Sequence, residues 1–146
     1  MALNASDPAD RVEQLIVLTE RLTERLSAEA AAFEARRPHE AAAGLEETAR
    51  LANLYRHESA RVKADRSLVA AAPEALRSRL IRVTGDFESM LSRHARALEA
   101  AKIITEGLVR TIAAEVAAQR APAAGYGADA RAGAGDVTSI TLNRRA

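Results

Sequence analysis

The chain predicts an all-α fold: an elongated antiparallel three-helix bundle or coiled coil with a long third helix and a flexible C-terminal tail. Three observations carry that expectation. Apolar residues recur at three- and four-residue steps over long stretches, Pro38 and Pro73 cut those stretches into three, and from Ala121 the composition turns to Ala, Gly, Pro and small polar residues. The 146 residues allow one domain with a real core but not two comfortable ones. Aromatic residues make up 3% and Trp is absent, so the core must come from Leu, Ile, Val and Ala. At about 25 cal/mol per Å² of buried apolar surface, an Ala contributes far less than a Leu.

The first helix is expected over about residues 8–37. Asp7 suits the N-cap and Pro8 the first helical position, and Val12, Leu15, Leu18, Leu22, Leu26, Ala30 and Phe33 recur at helical spacing. Arg36-Arg37-Pro38 closes it, with two cations at the negative end of the dipole and a proline that blocks continuation. The second helix is expected over about 40–71, with Leu45, Ala49, Ala52, Tyr55, Val62 and Val69 facing inward and Ser59 and Arg66 interrupting the stripe. Pro73 and Glu74 open the third, over about 73–120; Gly85 and Gly107 inside it each cost up to about 1 kcal/mol relative to Ala and offer points of bending. Two tight proline-marked turns predict an up-down-up bundle over 1–120, leaving 121–146 as an Ala/Gly-rich tail. Within that tail, Val137-Thr138-Ser139-Ile140-Thr141-Leu142 has β-propensity but no partner strand.

The third helix holds the strongest pattern. Phe87, Leu91, His94, Leu98, Ala101, Thr105, Leu108 and Ile112 follow one another in alternating steps of four and three, and only His94 and Thr105 among them are polar. Ile103, Ile104, Val109, Ala113 and Val116 widen the apolar arc. Because the third helix is expected to be longer than the other two, its part from Leu98 to Val116 is expected to overhang. That seam is a bundle core, a homodimer seam or a groove for a foreign segment, and the spacing alone leaves all three open.

Composition and motifs narrow the function. The 21 basic and 20 acidic residues nearly cancel, which is not the footprint of a phosphate binder. There is no cysteine, hence no disulfide, thiolate metal site or cysteine nucleophile. No run approaches the roughly 18 apolar residues of a membrane span, and Met1 to Pro8 lacks the basic and apolar regions of a leader, so a cytoplasmic protein is expected. His39, His57 and His94 have no Glu three residues before them and no His four residues away, so no metal ligand set is expected, and His94 reads as a hydrogen-bonded histidine at the core edge. Gly125-Tyr126-Gly127 and Ala132-Gly133-Ala134-Gly135 lack the strand-turn-helix setting of a phosphate loop. No catalytic residue, cofactor or enzyme activity is expected. Surface recognition remains.

Three Ala/Leu/Glu/Arg-rich helices, the run Leu98-Glu99-Ala100-Ala101-Lys102-Ile103-Ile104-Thr105-Glu106-Gly107-Leu108-Val109, and then Tyr126-Gly127-Ala128-Asp129 resemble the FlgN-type flagellar export chaperones. Such families often carry a Tyr-Gly-x-x-Gly turn, where this chain has Ala130 in the last position. The resemblance implies a cytosolic chaperone that binds C-terminal amphipathic segments of hook–filament junction proteins and delivers them to the type III export gate. Carried over by position, Leu98, Ala101, Ile104, Leu108, Ile112 and Val116 would bind cargo and Tyr126 would dock to the gate. The alternative is a non-enzymatic structural or regulatory coiled-coil protein whose seam is consumed in a homo-oligomer.

Overall fold

The computed structural model describes residues 2–129, with side chains described as far as Ala121. The 137–142 run, Arg144-Arg145 and the rest of the expected tail beyond Asp129 lie outside the described residues. The protein is an all-α helical bundle built of α1 (Pro8–Glu34), α2 (Pro38–Ala42), α3 (Leu45–Ala64), α4 (Ser67–Ala70) and α5 (Glu74–Asp129), with no strand among the described residues. The chain divides into two units, Met1–Lys102 and Ile103–Ala146.

In the first unit α1 starts as expected: the Asp7 carboxylate accepts the Asp10 N–H at 2.9 Å, and Pro8 takes the first turn, where its missing N–H costs nothing. It ends at Glu34, earlier than expected. Arg36 turns into the left-handed region at φ 60°, the Arg36 N–H donates to Phe33 C=O at 3.0 Å, and the Arg37 N–H donates to Ala32 C=O at 2.8 Å. That pair of bonds is a Schellman closure, and it stops the helix before Pro38 has to.

The expected single second helix is three pieces. Gly44 separates α2 from α3, and the Arg25 guanidinium passes over it so closely that a Cβ there would lie 1.3 Å from an Arg25 nitrogen. Asp65 then adopts an extended backbone after α3, and its carboxylate accepts the Ser67 N–H at 3.0 Å, turning the chain into α4.

Pairs across the helices give the directions. Arg11 meets Glu58 and Arg21 meets Glu47, so α1 and α3 run antiparallel. Arg79 meets Glu20 and Arg93 meets Glu34, so α1 and the first-unit part of α5 run parallel. The up-down-up order follows. Two apolar clusters fill it: Leu18, Leu22, Leu26, Leu51 and Phe87 with half-buried Tyr55 and Met90, and Val12, Ile16, Ala72 and Val83 with Val69, Leu76 and Leu80. α1 contributes to both because its buried face is nearly continuous.

Two inward faces differ from the sequence expectation. On α3 the buried positions are Thr48, Leu51 and Glu58, whereas Leu45 and Ala49 are exposed. Two of the three are polar and sit inward because each finds a partner on another element, which an apolar pattern cannot register. On the first-unit part of α5 the inward positions are Val83, Phe87, Met90, His94 and Ala97, while Leu91 and Leu98 are exposed. The seam keeps its four-three rhythm but lies one residue, about 100°, away from the expected leucines.

α5 continues past the expected end at Arg120 to Asp129, so residues 121–129, including the backbone of Tyr126, are helical rather than linker. The Ala residues around Pro122 are the strongest helix formers, and their propensity opposes the cost of the proline and of Gly125 and Gly127. The Tyr126 side chain lies outside the described residues.

Candidate functional site

Two kinds of surface are candidates, and each is described within its own unit. In the first unit, charged side chains are buried and paired. Glu58 is fully buried; its carboxylate accepts the Leu3 N–H at 2.9 Å, Arg11 at 3.0 Å and Arg61 at 3.2 Å. Burial pushes the Glu58 carboxyl up, but the Leu3 amide, Arg61 and His57 together outweigh it and hold the group below the usual carboxylate range. A second cluster joins three helices: Thr48 Oγ donates to Glu29 at 2.5 Å, and His94 Nε2 lies 2.9 Å from the other Glu29 oxygen, with the Phe33 ring edge-on to the imidazole. His94 therefore has the partner its place on the seam demanded. The two clusters are buried polar networks that cross between elements. Both tie helices together. Among the described residues no buried side-chain nitrogen or oxygen lacks a partner.

Of the residues singled out for cargo, Leu98 is exposed and Ala101 half-buried at the end of the first unit. In the second unit Ile104, Leu108, Ile112 and Val116 are all exposed, from 42% for Val116 to 59% for Leu108. Successive four-residue steps advance each by about 40° around the helix, so the four spiral across an arc of about 120°. Val109 lies at the edge of that arc and is 60% exposed. Ile103, 57% exposed, lies about 100° to the other side of Ile104. The structure thus leaves one broad aliphatic face on the second unit, and Val109, which flanks the seam in the sequence pattern, belongs to it. Arg110, Glu115 and Arg120 supply the charge that breaks the surface up.

What such a face offers is aliphatic area to an aliphatic partner. Among the described residues no group of His, Asp and Glu could hold a metal ion, and no helix is long and apolar enough to cross a membrane.

No family model and no solved structure matches the chain. A full-length relative does: the flagellar basal-body protein FlbY of Caulobacter vibrioides is 56% identical over 149 residues, covering 100% of both chains. At more than half identity from end to end, this chain belongs to the FlbY family of flagellar basal-body proteins.

Proposed function

We propose that this protein acts in building the bacterial flagellum as a non-enzymatic export chaperone. It binds the C-terminal amphipathic segments of hook–filament junction proteins in the cytoplasm and hands them to the type III export gate. The observation that carries the reading is the exposed aliphatic face of the second unit, Ile104, Leu108, Ile112 and Val116, in a member of a flagellar family. Segments that fold only on assembly expose apolar stripes beforehand, and an aliphatic helix face that covers them prevents their aggregation. An interface of about 800 Å² per side, less the cost of ordering the segment, suits an affinity from micromolar to nanomolar. Leu98 and Ala101 extend the cargo set in this reading, and Tyr126 serves the gate.

Leu108→Asp tests it. The variant is expected to keep its helicity by circular dichroism and to lose binding to a purified hook–filament junction C-terminal segment. Undiminished binding would remove the α5 face from the role. Tyr126→Ala should retain cargo and impair only delivery.

A second reading has one observation in its favour: the relative is named as a basal-body protein, which suits a structural part as well as a carrier. There the same face would be consumed in a homo-oligomer. Light scattering separates the two, since a stable oligomer that persists on dilution favours the structural part.

A further inference from the structure

A cleft of about 530 Å³ lies within the first unit, walled by α1, α3, α4 and α5. Its floor is aliphatic, with Leu15, Val62, Val69 and Leu80. Its edge carries Lys63, Arg66 and Arg77. We propose that this cleft is a docking groove for an acidic, aliphatic helical segment of a partner protein, separate from the α5 face.

Charge complementarity commits the occupant. Elsewhere in this unit Arg11, Arg21, Arg61, Arg79 and Arg93 each meet a glutamate. Among the described residues no carboxylate pairs with Lys63, Arg66 or Arg77. Two acids close in sequence have other partners. Asp65 accepts from the Ser67 N–H and hydroxyl, and buried Glu58 is taken by Leu3, Arg11 and Arg61. The Arg77 Nε–H donates to the Ala72 carbonyl at 3.1 Å, which anchors that guanidinium beside the cleft. Three cations around an aliphatic floor select a ligand with carboxylates flanking an apolar stripe.

The openness of the site favours a peptide over a small amphiphile. A pocket for a small ligand encloses most of its surface, whereas Ser59, Lys63, Arg66, Ala70 and Arg77 along this cleft are exposed. A helix lying there would turn its aliphatic side to the floor and its carboxylates to the rim, leaving the rest of its surface in water.

The probe is a fluorescein-labelled peptide of about 18 residues, long enough to become helical on docking, with Leu at three- and four-residue steps flanked by Glu. Fluorescence anisotropy with the full chain is expected to show binding that weakens as salt rises. The double variant Lys63→Gln/Arg66→Gln is expected to lower affinity about tenfold or more. Ala70→Trp, which fills the cleft from an exposed position, is expected to abolish binding. Should Ala70→Trp melt the unit, comparing the peptide with its Glu→Gln version on the unaltered chain still decides. Equal binding of the two peptides overturns the proposal, as does undiminished binding by the double variant. Loss of peptide binding in Leu108→Asp overturns it by moving the peptide to α5. So does cation-dependent binding of phosphatidylglycerol vesicles without peptide binding, because the rim would then serve a membrane surface.

Discussion

The unit ending at Lys102 buries charged side chains, whereas in the unit beginning at Ile103 every large aliphatic side chain among the described residues is exposed. Glu58 and Glu29 sit inside, each saturated by donors from other elements. Leu108 and Ile112 sit outside. The first departure is resolved within the molecule, since every buried carboxylate oxygen there has found its donors. The second is not resolved by anything described in the chain, and an exposed aliphatic face of that breadth is the ordinary mark of a surface awaiting a partner. Truncations in the two units should therefore differ in what they cost the fold.

The contrast breaks most visibly at Glu58. Glu58→Ala strands the largely buried Arg11 cation and the Leu3 amide, and is expected to cost about 3–5 kcal/mol by denaturant titration. The same carboxylate links stability to acid. Folding lowers its pKa below the ordinary glutamate value of 4.5, so its contribution is complete above that pH and is lost as pH falls through the folded value. Wild-type stability should therefore decline on acidification below about pH 4.5, and Glu58→Gln should flatten part of that decline.

Next in size is a matched pair of truncations. Leu22→Ala, at a position 2% exposed, should cost about 3 kcal/mol, whereas Leu108→Ala, at 59% exposure, should stay within about 0.5 kcal/mol. A large loss for Leu108→Ala would show that the second unit hides its aliphatic face in solution. The smallest effect belongs to the end of α1. Arg36 holds a left-handed conformation that glycine adopts freely, so Arg36→Gly should raise stability by about 0.5 kcal/mol, measured by the denaturation midpoint.

Much of the bundle could be read from spacing. The α1 face from Val12 to Ala30 is buried along its length because no partnered polar residue outweighs its aliphatic rhythm; Thr19, inside it, satisfies itself by donating to the Leu15 carbonyl at 2.7 Å. The α3 face was not legible for the opposite reason. Thr48 and Glu58 look like surface residues until Glu29 and Arg11 are placed beside them, and those partners lie 19 and 47 residues away. On α5 the rhythm was legible and its phase was not. Leu91 and Leu98 attract the seam on hydrophobicity, yet Met90 and Ala97 face inward, because a close-packed three-helix core accepts a small side chain as readily as a large one. The broken connections at Gly44 and Asp65 depend on a long-range guanidinium and a local turn bond, neither of which leaves a periodic trace. For the α5 face, exposure was the missing quantity: the same residues suit a core and a docking surface, and only coordinates distinguish those.

The Leu3 amide gives this molecule a built-in gauge. An amide ahead of a protein's first helix ordinarily exchanges its proton with water within moments, because nothing holds the chain there. Here that hydrogen is clasped by a carboxylate 55 residues away on the antiparallel helix, so it is released only when that carboxylate lets go. Its deuterium uptake would report, from a single NMR resonance near the start of the chain, how often that tie between the leading segment and α3 lets go.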